Sequence, residues 1–387
     1  MIATPPLHLC IATGQNLANL IPALQCHAQE AWLLQTPEMV GRAGFLADAL
    51  KARGIAVQRI DFADDDVATL NAQAAAIAER LDGRAVTINL SGGTKLMTLA
   101  LTQTLAEHLA TGSAETQPHL VYTDTRHRRL NWLRPAPRSE AMADVLRIDD
   151  ILLAQGYRRA PVCGGAGAAE WHRAAEGRKM LTRHFGDQAH ALGRFLGTLN
   201  GMANRALSEP AGPWRPHQEF DFTPGGAGAS LLRAAHSAGM LHWDEQTQIV
   251  FHDADAARYV RGGWAEEYAG LKISGMRPRD WAPNLLVESA GGHTPNEIDA
   301  AVVHGNRLLF VECKAAATGD DDKLAGWIYK LSQLARSVGG QLAQPLLLSA
   351  RSIGDAHRQR AREYGVDILA AAELSTLPDY LRRWMAG

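Results

Sequence analysis

Apolar residues in the first third of the chain fall into short runs rich in β-branched and aliphatic residues, separated by longer stretches with helical spacing. The runs at 7–12, 31–34, 57–60, 85–90 and 119–122 predict buried strands, and a further strand is expected at 129–133. The intervening stretches at 17–28, 36–53 and 67–81 predict helices, as does the stretch from Lys95 to about His108, and Gly54 supplies a stop for the second. Strands alternating with helices predict an α/β fold with a parallel, doubly wound sheet. In such sheets ligands bind beyond the carboxyl ends of the strands.

Past residue 150 the pattern changes. Pro161, Gly164, Gly165 and Gly167 mark a linker over 160–169, and helices are expected at 168–185 and 195–207. A Pro/Gly-rich loop at 210–228 precedes a short helix at 231–240 and two short strands at 241–243 and 248–251, a helix with a small β-wing. Then come a helix at 256–271, a strand at 281–287, a hairpin over 297–314 and a helix at 323–338. A strand at 346–348, a helix at 355–364, a strand at 366–369 and a closing helix at 377–384 complete a mixed sheet flanked by helices. The expected division is residues 1–150, a connector at 151–260 and a third domain at 261–387.

The hairpin carries the densest chemistry. Two apolar runs flank Gly305-Asn306, a two-residue loop that sets the register. If His304 pairs with Arg307, counting back puts Asp299 opposite Glu312. Alternation then sends Glu312 and Lys314 to one face and Leu309, Val311 and Cys313 to the other. Two carboxylates a few ångströms apart repel each other, and a hard cation such as Mg²⁺ or Mn²⁺ resolves the conflict. The bare pattern also fits a surface hairpin with a Glu–Lys pair at its end. At the other end of the chain, Ser91-Gly92-Gly93-Thr94-Lys95 joins a strand to a helix with glycines, hydroxyls and free helix N–H groups, a phosphate-binding geometry. It is neither a Walker A loop nor a dinucleotide fingerprint, and a plain tight turn would look the same.

Composition narrows the partners. The 387 residues are 46% hydrophobic and 21% charged with a net charge of −2, so the protein is no basic nucleic-acid coat and any such contact is local. Arg126, Arg128, Arg129, Arg134 and Arg138 near Trp132 form a basic stretch, more in keeping with a solvated face than with a nucleic-acid site. Cys10, Cys26, Cys163 and Cys313 are widely spaced, with neither a zinc pattern nor a disulfide framework, which favours a reducing cytoplasm. Residues 1–20 carry no leader pattern and no run of 18 apolar residues occurs, so no membrane span is expected. The histidines are scattered without His-Glu-x-x-His, and no serine sits in a nucleophile elbow.

Asp299, twelve residues, then Glu312-Cys313-Lys314 resembles the core of the PD-(D/E)xK nucleases. Upstream, Trp264-Ala265-Glu266 stands where relatives often have Trp-Leu-Glu on the helix bearing an extra acidic residue, and Trp327 to Leu331 matches the helix after the second catalytic strand. Asn89-Leu90-Ser91-Gly92-Gly93-Thr94-Lys95 resembles the ligand motif of CARF domains, and Gly14-Gln15 with Asn19 is similar to their second nucleotide-facing loop. The whole chain resembles type III CRISPR-associated ancillary nucleases that join a Rossmann-like CARF sensor, through a winged-helix-like connector, to a restriction-endonuclease-like domain. This resemblance implies a homodimer with cyclic tetra- or hexa-adenylate across its two-fold axis. Thr94 and Lys95 would meet phosphates on the Ser91, Gly92 and Gly93 loop, and Gln15 and Asn19 would line the pocket. It further implies Mg²⁺ or Mn²⁺ held by Asp299, Glu312 and the Cys313 carbonyl. Glu266 adds an acidic group, Lys314 stabilises the transition state, Glu297 is a rim or ligand charge, and DNA or RNA is the substrate. The competing expectation is a non-catalytic, ligand-responsive DNA-binding regulator built on the winged helix.

Overall fold

The computed structural model describes residues 4–63, 66–109, 117–161, 167–208, 212–292, 295–315 and 321–387. The chain forms two compact units. One runs to Arg159 and includes 288–293 and 338–340, and the other comprises 160–287, 294–337 and 341–387.

The first unit contains β1 (Leu7–Ile11), α1 (Leu17–Gln25), β2 (Glu30–Gln35), α2 (Val40–Ala52), β3 (Ala56–Asp61), α3 (Val67–Leu81), β4 (Val86–Asn89), α4 (Lys95–Leu109) and β5 (His119–Asp124). β6 (Arg129–Arg134), β7 (Arg138–Ala141), α5 (Ile148–Gln155) and β8 (Tyr157–Arg159) complete its run of elements. Strand order is β3-β2-β1-β4-β5-β6-β7. The first five strands in that order are parallel, and β6 and β7 pair antiparallel. The order reverses direction between β1 and β4, the switch point at which a doubly wound sheet opens a crevice for ligand. Strand β7 and helix α5 have no counterpart in the expected elements. Along β7 side chains are exposed or half-buried, so it lacks an apolar run, and its Arg138 lies 4.4 Å over the buried Trp132 ring. Helix α5 is a short element flanked by polar residues.

The second unit begins with α6 (Ala168–Gly177), α7 (Lys179–Asp187), α8 (Ala189–Leu207), β9 (His217–Glu219), α9 (Gly226–Ser237), β10 (Leu241–Trp243) and β11 (Gln248–Phe251). It continues with α10 (Ala254–Arg258), a π-helical turn (Tyr259–Gly263), α11 (Trp264–Met276), β12 (Asp280–Ser289), β13 (Asn296–His304) and β14 (Arg307–Lys314). Last come α12 (Asp321–Gly339), β15 (Ala343–Ser349), α13 (Asp355–Tyr364), β16 (Asp367–Ala370) and α14 (Leu377–Ala386). Strands β12, β13 and β14 are antiparallel, and β14, β15 and β16 parallel, giving the mixed sheet.

The connector is helix plus wing, with β9 as a third strand inside what the pattern marks as loop. Its Leu231, Leu232, Trp243 and Phe251 belong to the same hydrophobic cluster as Trp264, Leu309 and Val311, so 160–252 and the mixed sheet share one core. The expected helix 168–185 is broken at Arg178, whose side chain turns to Glu267. Much of the expected linker at 160–169, with Cys163, lies outside the described residues, as do residues 316–320.

Candidate active site

The hairpin turn adopts the conformation its sequence calls for. Gly305 and Asn306 both have positive φ, 60° and 58°, the signature of a type I′ turn whose twist matches the flanking strands. The register runs from His304–Arg307 to Ala300–Val311, as the loop length predicts. Leu309, Val311 and Cys313, with Ala300 and Val302, enter the core, while Glu312 and Lys314 stay half-buried on the other face. One step beyond the last pair, Asp299 stands beside Glu312, and its carboxylate Oδ2 accepts a hydrogen bond from Cys313 N at 2.6 Å. Lys314 Nζ donates to Glu312 Oε1 and lies 5.1 Å from the ring centre of Trp327 on α12.

Glu266, on the first turn of α11, faces the same group of charges, and its neighbour Glu267 does not. Glu267 is buried and bonded to Arg178 and to Thr182 Oγ1 at 3.1 Å, a fold-supporting pair. The π-helical turn before α11 inserts a residue into the helical ladder and re-aims the first turn of α11. Glu266 and Asp299 are held far from ordinary carboxyl behaviour. Burial, then the Asp299 and Glu297 charges, pushes Glu266 up to about 8 against the opposing pull of Lys314. Burial, then the Glu312 charge, pushes Asp299 up to about 7. Lys314 is raised, because Glu312 and Asp299 outweigh the burial that would lower it. Burial keeps the Cys313 thiol well above its usual range, so this side chain stays neutral and only its main chain offers a polar contact. A cavity of about 590 Å³ opens beside these residues, with Glu266, Asn284, Cys313, Lys314 and Trp327 in its wall. Asn284 carries no sequence motif and is placed there by β12 alone.

Among the described residues no three His, Cys, Asp or Glu side chains converge as a ready metal cage. The donor set nevertheless suits a hard cation that needs few protein ligands: carboxylate oxygens plus a main-chain carbonyl. Glu266 and Asp299 are raised by burial first and by neighbouring carboxylates second, and a cation would offset both costs of ionising them.

In the first unit the switch point brings the two sequence-predicted loops side by side, because β1 and β4 pair in register Cys10–Asn89. Asn89 is the keystone of the loop. Its Nδ2 donates to Ala18 O at 2.8 Å and Asn19 Oδ1 at 2.9 Å, and its Oδ1 accepts from Ser91 N at 3.0 Å. Asn19 Nδ2 donates to Ile11 O at 2.9 Å, so Asn19, expected to line the pocket, is buried and ties the two loops together from behind. Ser91 likewise accepts from Thr123 N at 2.7 Å. Thr94 Oγ1 caps α4 by accepting from Met97 N at 3.2 Å. A Cβ on Gly92 would lie 2.1 Å from Ile11 O, so the loop closes only on glycine there, and Gly93 has a φ of 77°. Gln15, Gly93, Thr94 and Lys95 are exposed at the open side.

Residues 253–387 match the family model described as Card1-like, endonuclease domain, and residues 7–150 match the Card1 CARF domain. A search of curated proteins finds no match. Among solved structures, protein VC1899 from Vibrio cholerae is similar with a TM-score of 0.82 at 20% identity, covering 98% of each chain. Can2 from Sulfobacillus thermosulfidooxidans, solved with cyclic tetra-adenylate, is similar with a TM-score of 0.78 at 19% identity, covering 99% of this chain and 98% of that one. A type III CRISPR defence DNA nuclease activated by cyclic oligoadenylate gives a TM-score of 0.50 at 20% identity, covering 90% of this chain and 46% of that chain. At these identities the structural likeness is one of fold. With both ends of the chain matched, the protein belongs to the family that joins a Card1 CARF domain to a Card1-like endonuclease domain, and its carboxyl-terminal part is an endonuclease.

Proposed function

We propose that this protein is a divalent-metal-dependent endonuclease of type III CRISPR defence, switched on when cyclic tetra-adenylate binds its CARF domain. The observation that carries the reading is Asp299, Glu312 and Lys314 at the open end of one hairpin, with Glu266 of α11 in their electrostatic field, in a chain that also carries the Asn89–Lys95 loop. Asp299, Glu312 and the Cys313 carbonyl would hold Mg²⁺ or Mn²⁺, with Glu266 alongside. Such an ion supplies Lewis-acid polarisation of the phosphate and a water of lowered pKa. Lys314, held charged by its carboxylate neighbours, places a cation where phosphate charge develops. Trp327 packs against Lys314 and limits the positions its ammonium can take.

On the sensor side, Thr94, Lys95 and the open N–H groups of the α4 start would receive phosphates, and Gln15 a base or ribose. Leu96 and Leu99, just past Lys95, are 41% and 60% exposed, an apolar face on the ligand-bearing helix that suits a two-fold partner. Activation requires the ligand to bind the active arrangement more tightly than the resting one. The free Cys10, Cys26 and Cys313, and the lack among the described residues of a helix long and apolar enough to cross a membrane, accord with work in the cytoplasm. The regulator reading needs a basic recognition helix, whereas α9 offers Arg233, which pairs with Glu245 and stacks on Trp243.

The test is cleavage of plasmid, single-stranded DNA and single-stranded RNA with Mn²⁺ or Mg²⁺, with and without cyclic tetra-adenylate. Cleavage that needs both metal and activator supports the proposal and identifies the substrate. Activity with metal alone removes the coupling, and cleavage in EDTA removes the metal.

A further inference from the structure

One wall of the active-site cavity has no role in the proposed chemistry. Asn284 lies on β12 between Pro283, paired with Ala300, and Leu285, paired with Ile298. It therefore stands at the ladder position facing Asp299, whose next neighbour across the hairpin is Glu312. At this point β12 leaves strand geometry, because Asn284 has a φ of 44°. Non-glycine residues seldom adopt that region, asparagine more readily than most, and such backbone clusters at functional sites.

The side chain adds an independent observation. Asn284 lines the cavity with Glu266, Cys313 and Lys314, and its Oδ1 is buried without a hydrogen-bond partner among the described residues. Two donors beside the same cavity have other acceptors: Cys313 N serves Asp299 and Lys314 Nζ serves Glu312. An amide oxygen buried without a donor is costly to keep. Around it stand the Glu266 and Asp299 carboxyls, which offer only acceptor oxygens once a cation takes the place of their protons. Oxygen acceptors gathered around one cavity are what a hard cation requires, and a neutral amide adds coordination without adding repulsion.

We propose that Asn284 Oδ1 is an oxygen donor of the divalent-cation site, delivered by β12 from the side opposite the hairpin partner Glu312. The inference rests on the metal-dependent reading and extends it to a residue outside the nuclease motif. The test is Mn²⁺ titration of the full chain without nucleic acid, read by electron paramagnetic resonance or calorimetry, beside thermal melts in EDTA. Asn284→Gly accommodates the positive φ and removes the amide. Its metal-free melting temperature should equal or exceed that of the wild type, while Mn²⁺ affinity falls about 10- to 100-fold. Asn284→Asp should restore it. Wild-type Mn²⁺ affinity in Asn284→Gly overturns the proposal. Should that variant melt well below the wild type, Asn284→Asp decides: affinity at or above wild type supports the role, and a tenfold loss overturns it. A wild-type chain that binds no Mn²⁺ overturns the metal-dependent reading along with this one, whereas failure of Asn284 alone leaves that reading standing.

Discussion

Glu266 should weaken the metal-free protein as the pH rises, and Glu266→Gln should remove that weakness. Burial and the Asp299 and Glu297 charges raise its carboxyl from 4.5 to about 8 in the native state. The unfolded chain gives up this proton near its ordinary value. Between pH 4.5 and 8 the native state therefore holds a proton the unfolded state has lost, and stability falls across that window. At about 1.4 kcal/mol per pKa unit the full displacement is worth ~5 kcal/mol. Asp299 titrates in the same field, and protonating one group relieves the other, so the net gain at pH 8 should be about 2 kcal/mol. At pH 4 both chains carry a neutral group and should match. The assay is urea denaturation in EDTA at pH 4, 6 and 8, monitored by tryptophan fluorescence. A stability difference that stays constant with pH, or a variant less stable than wild type at pH 8, refutes the electrostatic account. Adding Mn²⁺ at pH 8 should stabilise the wild type more than Glu266→Gln.

Lys314→Ala should abolish cleavage in every metal while cyclic tetra-adenylate binding, measured by calorimetry, stays at the wild-type level; surviving cleavage would remove Lys314 from the chemistry. Lys95→Ala should weaken that binding by roughly 10- to 100-fold, the worth of a charge-assisted hydrogen bond, while Mn²⁺ binding at the nuclease site is retained. Gly92→Ala should destabilise the CARF unit by more than about 1 kcal/mol, because its Cβ would lie 2.1 Å from Ile11 O; an unchanged melting curve would show that the loop relaxes freely. Glu267→Ala strands Arg178 in a half-buried position and should cost about 3 kcal/mol, read by urea denaturation. A loss below about 1 kcal/mol would argue against a buried ionic pair.

Local pattern determined more of this protein than its remote likeness to solved structures would suggest. The Gly305-Asn306 loop dictates a type I′ turn, the turn dictates register, and register sets Asp299 beside Glu312 and sends Cys313 to the core. All of that comes from period-two alternation and steric limits on φ, which act between near neighbours. The Ser91–Lys95 turn was legible for the same reason, since its glycines answer a local demand for close approach and positive φ. Tertiary structure decided the rest. Asn19 is expected by resemblance to line the ligand pocket, yet the structure turns it inward to hold Asn89 and Ile11. Glu266 and Glu267 are adjacent and alike in sequence, and only the approach of Arg178 from a distant helix makes one a core ion pair and the other a cavity acid. Asn284 lies on an ordinary strand pattern, and nothing local announces its left-handed backbone or an oxygen without a partner among the described residues. Burial and the summed field of distant charges cannot be read from local spacing, because both depend on which segments the fold brings together.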